Sequence, residues 1–219
     1  MRLSERIRKD IEQYKKLPDK KSRMAFLFDY YKFPILALLT IVLLGVLIIG
    51  NELHHKKADL YIVLLNNDSV INACDPSVFE QALKKAGYSG HADINDRLSL
   101  GYENNESADI ETLQVLSALF AISDLDVYVA PKEYFDYFAE KDGFADLSLL
   151  MDKEILSKVK DDQYHFSGES GNKILAGITL HPDSKIHKAG YYHDDVIIGV
   201  VANAVNLDAA IAMIEEILK

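Results

Sequence analysis

Cysteine is nearly missing from this chain: Cys74 stands alone among 219 residues, so no internal disulfide can staple the fold. The signatures of common enzyme classes are missing as well. There is no G-x-S-x-G nucleophile elbow, no P-loop and no G-x-G-x-x-G dinucleotide fingerprint. Ser170-Gly171-Asn172-Lys173 has the S-x-x-K spacing of penicillin-recognising enzymes, which need Ser and Lys one helical turn apart. Here the tetrad sits in a glycine-containing loop, and neither K-T-G nor S-D-N occurs. Asp93, Asn95 and Asp96 begin like a calcium loop, but Arg97 and Leu98 take the fifth and sixth positions and break it. Acids outnumber bases, 34 to 24. The net charge of −15 over residues 33–219 argues against nucleic acid as a partner. Repeats and low-complexity tracts are absent, and nothing calls for a cofactor.

Long apolar runs are also scarce, with one exception. Nineteen uncharged residues run from Phe33 to Asn51, between Lys32 and Glu52. At ~1.5 Å per residue this run matches a hydrocarbon core of ~30 Å, and it is expected to be a single transmembrane helix. A cleaved signal peptide is disfavoured: residues 1–32 precede the run and no A-x-A site follows it. The expected organisation is a basic tail over 1–32, a membrane helix over 33–51, a juxtamembrane linker over 52–57 and an extracytoplasmic domain over 58–219. Residues 1–32 hold ten Lys/Arg and five acids, leaving 14 and 29 for residues 33–219, a net of −15 there. By the positive-inside rule the N-terminus is cytoplasmic and the C-terminal domain extracellular. Phe26, Phe28, Tyr30, Tyr31 and Phe33 mark the cytoplasmic interface, where aromatic rings prefer the headgroup layer. Residues 2–17 read either as a basic helix lying on anionic lipid or as a solvated tail.

Beyond the membrane, strand and helix patterns alternate. Leu60 to Leu65 is a short apolar run bounded by Asn66-Asn67-Asp68 and reads as a buried strand. Asp75 as cap and Pro76 as first helical residue open a helix that Gly87 stops. His91 to Leu100 reads as a half-buried strand. Ser107 caps a helix with Ile110, Leu113, Leu116 and Phe120 along one stripe. Leu125 to Ala130 is a strand, and Pro131 opens a helix that ends at Gly143. Residues 144–150 form a packed connection, 152–160 a short helix and 167–172 a loop or hairpin turn. Ile174 to Leu180 and Val196 to Ala202 read as strands, and Asn206 caps a final amphipathic helix to Leu218. The pattern implies an α/β fold with a mostly parallel sheet.

Few side chains suggest a site. Asp124 and Asp126 flank Leu125 ahead of a strand, where they are either turn residues or face a ligand crevice with Tyr128. His181, His187 and His193 lie six residues apart beside Asp194 and Asp195. Imidazole and carboxylate could bind zinc, but this spacing puts no two ligands on one turn, and exposed loop histidines are the plainer reading. Cys74 reads as a buried small hydrophobe rather than a reactive thiol.

Residues 107–151 carry a resemblance. Glu111 to Phe120 leads into Asp124-Leu125-Asp126-Val127-Tyr128-Val129-Ala130, then Tyr134-Phe135-Asp136-Tyr137-Phe138-Ala139, then Gly143-Phe144-Ala145-Asp146-Leu147-Ser148-Leu149-Leu150. This block resembles extracellular solute-binding proteins of ABC importers, and the layout is similar to single-pass membrane proteins of Gram-positive bacteria. The resemblance implies a solute-binding-protein-like α/β domain, with length for one lobe rather than the family's usual two. Three functions follow as expectations. The first is a non-catalytic, membrane-anchored domain that binds a small solute or a partner protein. The second is an assembly subunit of a membrane or envelope complex, and the third, most remote, is an extracytoplasmic hydrolase.

Overall fold

The computed structural model describes residues 59–69, 72–101, 106–169 and 171–219, together with Asp19, Leu36, Ala37, Leu39, Thr40, Lys56 and Lys57. The chain divides into two compact units, Met1–His54 and His55–Lys219. In the first unit Leu36, Ala37, Leu39 and Thr40 are helical, and the Thr40 hydroxyl donates to the Leu36 carbonyl at 2.9 Å. The rest of the expected membrane helix over 33–51 lies outside the described residues, as do the basic helix over 2–17, the interfacial aromatics and Ser170. Among the described residues no helix is long and apolar enough to cross a membrane.

The second unit is mixed α/β. Its strands are β1 (Lys56–Lys57), β2 (Leu60–Leu64), β3 (Tyr88–Ser89), β4 (Ala92–Asn95), β5 (Val127–Ala130), β6 (Gln163–Ser167), β7 (Lys173–Leu180) and β8 (Val196–Val200). Its helices are α1 (Ser77–Lys85), α2 (Glu106–Ala121), α3 (Lys132–Ala139), α4 (Leu147–Leu150), α5 (Lys153–Lys158), α6 (Lys185–Lys188) and α7 (Leu207–Leu218). Six strands form one sheet in the order β4-β2-β5-β8-β7-β6. Four of them (β4, β2, β5 and β7) run in one direction. The parallel pairings are confined to β4-β2-β5, however, and β8 enters antiparallel between β5 and β7, with β6 antiparallel on the far edge. The sheet is therefore parallel on one side and antiparallel on the other. β1 pairs with β3 in parallel, Lys56 opposite Tyr88, and β2 pairs with β4, Leu60 opposite Ala92. Both pairings share one offset, so the ladder that starts at Lys56 resumes in register at Leu60.

Strand residues alternate between two cores because successive side chains leave opposite faces. Leu60, Ile62, Leu64, Val127, Val129, Ile198 and Val200 pack with Phe79 and Leu83 of α1 and Ala210, Met213 and Ile214 of α7. Val63, Leu65, Tyr128, Ala130 and Ile197 pack on the other face with Leu116 of α2 and Phe135 and Phe138 of α3. Helices thus cover both faces.

Local chemistry sets most ends. Asp75 accepts from the Ser77 N–H at 3.0 Å ahead of α1, Lys84 and Lys85 lie in its last turn, and Gly87 leaves it at φ +86°. Asp146 and Asp152 cap α4 and α5 by accepting from Ser148 and Glu154 N–H groups. The expected caps shift: Pro76, not Asp75, stands at the N-cap of α1, Ser107 falls inside α2, and Asn206 stands at the N-cap of α7 without capping it. The Asn206 side chain instead donates to the Asp59 carbonyl at 2.7 Å, tying the start of α7 to the start of β2.

Candidate functional site

The chain runs from β2 to β4 on one side and then back past β2 to β5, so the strand order reverses at β2. In open α/β sheets a crevice forms at such a point, outside the carboxyl ends of the strands. A cavity of about 360 Å³ opens there. Asn66 and Asp68 come from the loop after β2, Leu100 and Gly101 from the loop after β4, Pro131, Glu133 and Tyr134 from the start of α3, and 192–196 from the approach to β8. β8 runs antiparallel to β5, so its beginning lies beside the end of β5.

Side-chain bonds to backbone hold these loops. Asn66 adopts φ +54°, a left-handed conformation that asparagine tolerates, and closes a two-bond bridge with Leu100. Its Nδ2 donates to the Leu100 carbonyl at 2.9 Å, and its Oδ1 accepts from the Leu100 N–H at 2.6 Å. The buried Asn67 amide donates to Leu64 and Asp96 carbonyls, both at 2.7 Å. On the facing wall the Tyr192 hydroxyl donates toward the Leu65 and Val129 carbonyls at 3.0 and 3.2 Å. Tyr134 reaches the Leu100 carbonyl at 3.2 Å, and Gly101 leaves it room: a Cβ there would lie 2.7 Å from the Tyr134 hydroxyl. Burial, followed by the neighbouring Glu133, raises the Tyr134 pKa, so it stays a neutral hydroxyl.

The crevice is acidic. Asp68, Glu133, Asp194 and Asp195 line it, and among the described residues His193 is its one basic group, with no lysine or arginine. His193 Nδ1 stands 2.6 Å from Asp68 Oδ2 and joins the two walls.

The three residues proposed from sequence as ligand contacts lie elsewhere. Asp124 and Asp126 sit at the amino ends of the parallel strands, opposite the crevice. Asp124 is exposed on a shallow depression that it shares with Tyr61, His91, Asp93 and Asn206. Asp126 is buried and structural: its carboxylate accepts from the Tyr61 N–H and the Asn206 N–H, both at 3.0 Å. Tyr128 is wholly buried among Phe120, Phe135, Phe138 and Phe144, and reaches no crevice. A strand residue facing the helices at that depth packs rather than binds. Among the described residues its hydroxyl has no hydrogen-bond partner, and burial pushes the phenol pKa up. A buried hydroxyl with no partner is costly, so Tyr128→Phe is expected to leave stability unchanged or raise it by about 1 kcal/mol. Urea denaturation of the two full-length proteins measures the difference.

The three histidines do not converge either. His181 contacts Asp195 and Asp162, His187 contacts Ser184 Oγ at 2.7 Å and the Asp194 carbonyl at 2.8 Å, and His193 contacts Asp68. Among the described residues no group of three His, Cys, Asp or Glu is placed to hold a metal ion. His187 is buried rather than exposed. Cys74 is half-buried, its thiol directed at the Gly190 carbonyl at 3.2 Å, and burial followed by Asp96 and Asp68 raises its pKa, which disfavours the thiolate.

No family model, no curated protein and no solved structure matches the chain. The crevice residues Asn66, Asp68, Glu133, Tyr134 and Tyr192 were not singled out from sequence. The one signal available was that Asn66-Asn67-Asp68 and Pro131 end two apolar runs. Only the strand order brings them together.

Proposed function

We propose that this chain is a membrane-anchored, non-catalytic binding protein that takes a small solute into the crevice at the carboxyl ends of β2, β4 and β5. The observation that carries this reading is the position of the crevice at the reversal of strand order, walled by loops that side-chain hydrogen bonds hold in place. Preformed concave sites with a few convergent polar groups suit small ligands. The lining carboxylates and Tyr134 favour a solute with an amine, guanidinium or hydroxyl groups, and repel an anion. The tether is the apolar run 33–51, with residues 1–32 cytoplasmic and the His55–Lys219 unit outside the cell. The helical state of Leu36, Ala37, Leu39 and Thr40 is in keeping with it. The likeness of residues 107–151 to solute-binding proteins of importers points the same way.

Thermal unfolding of the full-length chain in detergent, screened against amino acids, polyamines, sugars, nucleosides and peptides, tests the reading. A solute at a hundred times its Kd stabilises by ~2.7 kcal/mol. A shift is expected for a cationic solute and is expected to vanish in Glu133→Gln/Asp68→Asn. A flat screen would discard the binding reading. Protease cleavage of the acidic unit from outside intact cells tests the topology.

The second reading, an assembly subunit, draws on α2. This helix buries only Leu116 fully among residues 109–121, and Ile110 and Val115, with Ile122 just beyond, are exposed. No charge occurs from Thr112 to Ser123. An apolar outer face of this kind suits a protein contact. A flat screen combined with loss of a stable complex in Val115→Asp would favour it over solute binding.

A further inference from the structure

His181 stands directly behind the crevice, one residue past β7. Its Nδ1 lies 2.8 Å from Asp195 Oδ1, and its Nε2 lies 3.1 Å from Asp162 Oδ1. Asp195 belongs to the crevice wall. Asp162 ends the 3-10 turn Lys160–Asp162 that leads into β6. One imidazole therefore joins three segments: the turn before β6, the end of β7 and the approach to β8.

A neutral imidazole carries one N–H and one lone pair. Between two carboxylates it donates to one and presents its lone pair to the other, which is repulsive. Only the imidazolium donates to both. We propose that His181 is a positioning residue for the crevice: as imidazolium it bridges Asp162 and Asp195 and fixes the Asp195 wall, and on losing its proton it lets one arm go. This assignment rests on the crevice being the binding site.

The surroundings fit. The Asp195 contact contributes most to holding the proton on His181, burial opposes it, and Asp162 adds to it, so the pKa lies above the ordinary 6.5. Asp183, Lys185, Lys188 and Lys219 share the depression behind His181. Lys185 donates to the Glu216 carbonyl at 2.6 Å and Lys219 pairs with the Glu216 carboxylate, so both amines are engaged with α7. The next residue back along the wall, Asp194, is anchored through its carbonyl by His187. The bridge is half exposed, with 46% of the His181 side chain accessible, so bulk protons reach it.

The sign follows from linkage. A histidine whose pKa is raised by folding stabilises fully below its unfolded value, here about 6.5, and the contribution is lost as pH rises through the folded value. The wall is therefore ordered on the acid side and loosened on the alkaline side.

Nuclear magnetic resonance of the full-length chain in detergent, without any solute, tests this between about pH 5 and 9, the range in which histidines titrate. The His181 ring is expected to titrate above 6.5, and the amides of Asp195 and Val196 are expected to move with the same midpoint. Asp162→Asn is expected to lower that midpoint. His181→Gln is expected to abolish the step in the Asp195 and Val196 amides while the remaining spectrum stays folded. Amides that stay still while His181 titrates, or a midpoint indifferent to Asp162→Asn, would overturn the assignment. No solute enters this measurement, so its failure is separate from a flat thermal screen.

Discussion

Phe135→Ala is expected to destabilise the domain by about 3–5 kcal/mol, the usual range for deleting a buried aromatic ring. For a domain of this size that lowers Tm by about 6–20 °C. Thermal and urea unfolding of the full-length protein would show it; a loss below about 1 kcal/mol would mean that the site collapses to fill the space. The reason to expect the upper end is what lies beneath the ring. Phe135 is fully buried, stacks on Phe144 with centroids 4.0 Å apart, and meets Tyr164 edge-on at 5.8 Å. It rests on a bare patch of the sheet: a Cβ on Gly177 would lie 2.9 Å from its Cζ, and one on Gly199 would lie 2.8 Å from it. Two neighbouring strands thus present glycine where the ring needs a seat. Refilling the cavity from below is barred by backbone. Any Cβ on Gly177 would lie 2.7 Å from the Ile198 carbonyl, and any on Gly199 would lie 2.8 Å from the Ala176 carbonyl. Neither site has an alanine solution that could rescue Phe135→Ala.

Asp126→Ala carries the second large effect, about 2–4 kcal/mol. Its carboxylate receives two backbone N–H groups, from Tyr61 in β2 and Asn206 at the entry to α7. Removing the acceptor strands both donors in a buried setting, at about 1–3 kcal/mol each, partly relieved by water. The backbone of Asp126 is engaged as well, donating to the Tyr61 carbonyl and accepting from Val201 at 3.0 Å each. Asp126→Asn should cost less, because its amide keeps one acceptor oxygen. Urea midpoints that rank wild type above Asn and Asn above Ala would bear this out. A carboxylate needed only for solute binding would leave all three midpoints alike.

The strong apolar runs of the chain were readable as elements. Leu60–Leu64, Val127–Ala130, Val196–Val200 and Leu207–Leu218 lie within segments whose period and flanking turn residues announced them, and Lys173–Leu180 starts one residue before its expected Ile174. β6 was not legible. Gln163-Tyr164-His165-Phe166-Ser167 lies at the sheet edge, half or fully exposed, so its composition reads as loop. The two-residue strands β1 and β3 and the four-residue α6 are too short to carry any period. Nothing in the sequence places β8 between β5 and β7, because strand order is decided by packing of residues far apart in the chain. For the same reason the acid at Asp126 was noticed but not its position: the residue stands at the amino end of its strand, whereas the crevice lies at the carboxyl end. Asn206 had the residue type of a cap, yet a longer-range partner, the Asp59 carbonyl, claimed its side chain.

The matched registers of Lys56–Lys57 against Tyr88–Ser89 and Leu60–Val63 against Ala92–Asn95 bear on how the second unit would take up mechanical load. Tension reaching it through the chain ahead of Lys56 runs along the axis of β2. That strand is hydrogen-bonded to β4 on one side and to β5 on the other. Both ladders are then loaded in shear, with their bonds sharing the force together, instead of being peeled open one at a time from an edge. Forced unfolding is governed by the unfolding rate, so a load shared by both ladders is resisted by the barrier to breaking them together.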